Sequence, residues 1–136
     1  MAGPLRDPDR PMDTRSKILT PEGALALPRG ALAVVTGSFN PLLAEHARAL
    51  AAVRNRTPER PLLAVILPAE PALLPAEARA ALVAATRMVD YVLIANREQT
   101  DQLIETLAPA ETVRLEADDA VRTRRLIEHV QRRQTR

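Results

Sequence analysis

Unbroken apolar runs that alternate with helical segments constrain this chain most. Residues 31–36, 62–67 and 91–95 are almost purely Ala, Val, Leu and Ile. Runs of this length without polar alternation predict strands buried on both faces. Between them, residues 44–55 carry Ala47, Leu50, Ala51 and Arg54 at helical spacing, 76–87 follow Pro75, and 100–107 stop before Pro109. A short fourth strand at 112–115 and a last helix over 121–133 complete the pattern. Strand–helix alternation of this kind predicts an α/β, Rossmann-like three-layer sandwich with a parallel sheet of four to five strands and right-handed crossovers.

Length and composition set the remaining bounds. A chain of 136 residues, 46% apolar, supports one domain with one sizeable core. With one Phe, one Tyr and no Trp, that core is built from Ala, Leu, Val and Ile. No aromatic platform is present for stacking bases, and the net charge is only +2, so nucleic-acid binding is not expected. The absence of cysteine excludes disulfides, thiol catalysis and Cys-based metal sites. No apolar stretch approaches a membrane span or a signal-peptide core, so the expectation is a cytoplasmic protein without a membrane partner. The basic residues are arginines apart from Lys17, and Arg122, Arg124, Arg125, Arg132, Arg133 and Arg136 crowd the last segment, where a solvated helix face accounts for them.

Residues 1–16 are polar and carry Pro4, Pro8 and Pro11, which predicts a flexible N-terminal arm ahead of an α/β domain over 17–136. Thr20 fits an N-cap and Pro21 the first helical position, so a short helix is expected over about 21–27, ending near Pro28 and Gly30.

The chemistry concentrates at Val34-Val35-Thr36-Gly37-Ser38-Phe39-Asn40-Pro41, followed by His46 in the first turn of a helix. Ligands of open parallel sheets bind beyond the carboxyl ends of the strands. A glycine and a polar turn at such an end present backbone N–H groups, and a helix N-terminus with an imidazole suits an anion such as phosphate. Ser38 has no histidine–carboxylate partnership in the pattern, and neither a Walker A motif nor G-x-G-x-x-G occurs. His129 reads as an ordinary residue of an arginine-rich helix, and Asp118-Asp119 reads as helix capping, so no metal ligand is assigned.

Thr36-Gly37-Ser38-Phe39-Asn40-Pro41-Leu42-Leu43-Ala44-Glu45-His46 resembles the signature of the nucleotidyltransferase superfamily, in its cytidylyltransferase-like branch, where G-x-F-D/N-P precedes H-x-G-H. Lys17-Ile18-Leu19, Glu77-Ala78-Arg79, Val89-Asp90-Tyr91-Val92 and Val121-Arg122-Thr123-Arg124-Arg125-Leu126-Ile127 are similar to further segments of the sugar-phosphate branch, such as the ADP-heptose synthase nucleotidyl domain. The resemblance implies transfer of a nucleoside monophosphate from an NTP, with Mg2+, to a small phosphorylated substrate. It implies that Gly37, Ser38, Phe39 and Asn40 meet the nucleotide and that His46 donates to a phosphate oxygen. It implies further that Thr123, Arg124 and Arg125, at the opening of the last helix, face the outer phosphates, and that Arg79 grips the substrate.

The sequence also departs from that pattern. Leu43 stands where the first histidine of H-x-G-H would be and cannot donate a hydrogen bond. Loss of one transition-state donor costs about 10²–10³ in rate. Glu45 replaces the glycine; its carboxylate suits the helix dipole and repels a triphosphate. Arg122 stands in place of the serine that caps the last helix in the family, and the chain runs almost directly from Leu115 into that helix. The expectation is therefore a degenerate nucleotidyltransferase-like protein with weakened or lost activity. The alternative is a non-catalytic relative that binds a nucleotide or phosphometabolite, or that assembles with itself as a homodimer.

Overall fold

The computed structural model describes residues 14–40, 42 and 44–134. Most of the N-terminal arm lies outside them; Thr14–Lys17 form a 3-10 turn, from which the Lys17 ammonium donates to the Thr86 carbonyl at 3.1 Å.

Five parallel strands, β1 (Ile18–Leu19), β2 (Ala33–Gly37), β3 (Leu62–Ile66), β4 (Tyr91–Ile94) and β5 (Glu111–Arg114), lie in the order β1-β4-β3-β2-β5. The helices are α1 (Pro21–Leu25), α2 (Ala44–Arg56), α3 (Ala76–Ala84), α4 (Arg97–Leu107) and α5 (Glu116–Gln134). This is a three-layer, Rossmann-like α/β fold. Every residue of β2 and β3 is buried, as their unbroken apolar runs require.

The strand period of two divides the core cleanly. Ala33 and Val35, Leu62, Ala64 and Ile66, and Val92 face Leu50 and Val53 of α2 and Ala80, Val83 and Ala84 of α3. Val34, Leu63, Val65 and Leu93 face the other way, against Ala24 of α1 and Leu103 and Leu107 of α4, with half-buried Tyr91 at the same layer. Small alanines at 64, 80 and 84 let α3 approach the sheet closely.

Local signals set the element ends. The Thr20 hydroxyl accepts from the Gly23 N–H at 3.1 Å, the expected cap of α1. The Asn96 side chain accepts from the Gln99 N–H while the Gln99 side chain accepts from the Asn96 N–H, a reciprocal cap that starts α4 at Arg97 rather than at Thr100. Opposite the ligand edge, Arg54 laces α2 to the strand entries: it donates to the carbonyls of Met88, Pro58 and Arg60 and pairs with Asp90, whose carboxylate also accepts from the Leu62 N–H.

One expected boundary is corrected. The last helix begins at Glu116, not near Val121, so Asp118 and Asp119 lie within its first turn instead of capping it. Glu116-Ala117 and Ala120 are good helix formers, and acidic residues in a first turn complement the dipole. These preferences outweigh the capping tendency of Asp119.

Candidate functional site

The chain runs from β2 outward through β3 to β4, then returns across β2 to place β5 on its other side. The direction of connection therefore reverses between β2 and β5, and the crevice at their carboxyl ends is where this architecture receives ligands. Thr36 ends one wall of that crevice and Leu115 the other; the Leu115 N–H donates to the Thr36 carbonyl at 2.7 Å.

Glu116 sits at this point. Its Oε2 accepts the Thr36 hydroxyl at 2.7 Å, its Oε1 lies 3.7 Å from Arg114 Nη1, and its side chain is 17% exposed. A carboxylate, fixed by a hydroxyl from the next strand, thus occupies the crossover. Glu116 did not figure among the residues expected from the sequence, and Thr36 stood in the motif with no role assigned to it. The signal was positional: both are the residues that meet where the strand order reverses.

The turn after β2 is wired into its neighbours. Phe39 adopts φ 48°, with its ring fully buried in the α2/α3 layer. A left-handed backbone costs a non-glycine residue about 1–2 kcal/mol, which the burial of the ring offsets. The His46 ring, 2% exposed, lies 5.2 Å from it at a tilt of 48°. Asn40, buried just beyond, donates from Nδ2 to the Pro71 carbonyl at 2.8 Å, and its Oδ1 accepts from the N–H groups of Leu73 (2.7 Å) and Leu74 (3.2 Å). Arg79 is 3% exposed. Its Nη1 donates to the carbonyls of Ser38 and Leu67, both at 2.8 Å, and its Nε to Leu74 at 3.1 Å. Burial pushes its pKa below the ordinary arginine value, and the nearby Glu77 partly offsets that.

The structure therefore brings Gly37, Ser38, Phe39, Asn40, His46 and Arg79 to one end of the sheet. It aims Asn40 and Arg79 at the main chain of 67–74, so that these side chains brace the loop before α3. Thr123, Arg124 and Arg125 lie along the last helix and not at its opening. With α5 starting at Glu116, Thr123 lies seven residues along it, about 10 Å from the helix opening. The Thr123 side chain lies outside the described residues, and Arg124 and Arg125 are exposed on the body of the helix. Leu43 also lies outside the described residues.

The cleft over this turn measures about 90 Å³ and is lined by Ser38, Asn40, Pro68, Glu70, Pro71 and Glu116. Small-molecule sites commonly enclose about 300–1,000 Å³. The helices that open at this edge carry their own carboxylates: Glu45 in the first turn of α2, Glu77 in that of α3, Glu98 in that of α4 and Glu116 at the start of α5. Each lies where a helix N-terminus would otherwise favour an external anion.

Neither known family models nor curated protein sequences match this chain. Among the described residues, no group of three or more His, Asp or Glu side chains is placed to hold a metal ion, and no helix is long and apolar enough to cross a membrane.

Proposed function

We propose that this chain is a non-catalytic, nucleotidyltransferase-like α/β protein, a scaffold that keeps the sheet and its crossover crevice without transferring nucleotides. One observation carries this reading: Glu116 holds a carboxylate, hydrogen-bonded to Thr36 at 2.7 Å, at the point where such a sheet would receive phosphates. Three others support it. The cleft bounded by Ser38, Asn40, Pro71 and Glu116 encloses about 90 Å³, below the range of about 300–1,000 Å³ common for small-molecule sites. Glu45 and Glu77 bring further negative charge to the same edge. Thr123, Arg124 and Arg125, which would have to neutralise the outer phosphates, sit well along α5.

Calorimetric titration of the full chain with CTP and with ATP in the presence of Mg2+, alongside an assay of pyrophosphate release over a panel of sugar phosphates and mononucleotides, tests the proposal. The expected result is neither binding heat nor pyrophosphate. Turnover with any acceptor would overturn it and restore the transferase reading; binding without turnover would leave a nucleotide-binding relative.

A further inference from the structure

The α1/α4 side of the sheet is thinly covered. α4 has eleven residues and α1 only five, and between them they leave a cavity of about 270 Å³ over the end of β4. Leu93 and Ala95 form its floor, joined by Leu103 from α4; all three belong to the apolar layer of this side and are at most 5% exposed. Pro21 and Leu25, about one turn apart on α1, make one wall. Leu25 is 51% exposed, a large apolar side chain at the rim of the cavity instead of in the core.

The opposite wall is polar. Gln99, Gln102 and Thr106 line it, and with Leu103 they follow the spacing that puts residues on one side of a helix. The Gln99 Oε1 accepts from the Asn96 N–H at 3.0 Å, which leaves its amide nitrogen to donate elsewhere. Gln102 and Thr106 are exposed.

These features define what fits. An apolar cavity of about 150 Å³ holds a benzene ring, and small-molecule sites begin near about 300 Å³. The volume here therefore suits a single fused-ring system. Among the described residues, no charged side chain lines this cavity, whereas Glu70 and Glu116 line the cleft at the crossover. An ion placed here would lose hydration without gaining a counter-charge. The apolar floor accepts the face of a ring, and the amide and hydroxyl groups of the α4 wall supply donors for one oxygen.

We propose that the cavity between α1 and α4 binds a small neutral molecule, a compact fused-ring body carrying one carbonyl or hydroxyl oxygen. The ring lies on Leu93, Ala95 and Leu103, and the oxygen accepts from the α4 wall at Gln102. This inference does not rest on the reading of the crossover crevice, which lies at β2 and β5.

Proton–nitrogen correlation NMR of the full chain, titrated with coumarin as the neutral probe and naphthoate as a charged probe of similar size, tests it. Coumarin is expected to shift the amides of Leu93, Ala95 and Leu103 saturably, with a Kd of about 1 mM or lower. Naphthoate is expected to bind at least about tenfold more weakly. Ala95→Leu fills the floor and abolishes binding. Because that change is made in the core, two exposed positions give a second arm: Leu25→Ala and Gln102→Ala each weaken coumarin by about threefold or more, with the circular dichroism of the fold retained. Shifts that never saturate, or that scatter away from these amides, would overturn the proposal. So would equal affinity for naphthoate, or coumarin binding indifferent to Leu25→Ala and Gln102→Ala. Shifts of the same amides with protein concentration alone would assign the cavity to a second copy of the chain, and would equally overturn it.

Discussion

Arg79 and Ser38 are joined across the molecule: Nη1 of the buried guanidinium donates to the Ser38 carbonyl at 2.8 Å, tying α3 to the end of β2. The same nitrogen reaches Leu67, and Nε reaches Leu74. Each buried carbonyl left without its donor costs about 1–3 kcal/mol. Arg79→Ala is therefore expected to destabilise the fold by about 3 kcal/mol in urea unfolding, and Arg79→Lys, with fewer and less well-directed donors, to recover only part of the loss. Unchanged stability with a lost ligand would instead make Arg79 a binding residue.

The Thr36 hydroxyl gives Glu116 its buried donor at 2.7 Å. Thr36→Val keeps the side-chain shape and removes that donor. The expected cost is about 1–3 kcal/mol, since the hydrogen bond involves a charged acceptor. Glu116→Gln in the same background should return part of it, because a neutral amide is cheaper to leave unpaired. A double-mutant cycle read by thermal melting checks the coupling.

Ala108 closes α4 at φ 44° and ψ 61°, with its N–H on the Ile104 carbonyl at 2.9 Å. That is the left-handed position which glycine occupies without steric cost. Ala108→Gly is expected to raise stability by about 0.5–1 kcal/mol, seen as a higher urea midpoint at unchanged slope.

Leu43→His with Glu45→Gly restores the donor and the space that the sequence lacks beside His46. Adding Glu116→Gln removes the negative charge at the crossover. If the carboxylates are what excludes polyphosphate, the triple variant gains measurable CTP or ATP binding in calorimetry while the double variant gains less. If neither binds, the narrow cleft between Ser38 and Pro71, not its charge, keeps nucleotides out.

The sheet was legible because its strands are buried on both sides: β3 at Leu62–Ile66 and β4 at Tyr91–Ile94 fall within a residue of the apolar runs that announce them. β1, only Ile18–Leu19, is too short to show any period and is a strand by virtue of its pairing with Val92 and Leu93. The start of α4 was encoded in Asn96 and Gln99, three residues apart, and α3 stops at Ala84, where the Thr86 hydroxyl caps the Val83 carbonyl at 2.8 Å. The turn between β2 and α2 was legible too, from Gly37 to Ala44. The duties of its side chains were not. Asn40 takes its partners from 31 to 34 residues away, and Arg79 reaches back 41 residues to Ser38 besides bonding Leu67 and Leu74; spacing within a motif carries no information about such contacts.

The lone tyrosine has a practical consequence. With no tryptophan in the chain, Tyr91 is its only strong fluorophore, and it sits on the α1/α4 layer of the sheet. Its emission will report the melting of that half alone, while far-ultraviolet ellipticity averages over every helix. Agreement between the two transitions would show that both sides of the sheet come apart together; a gap between them would time one side against the other without any engineered label.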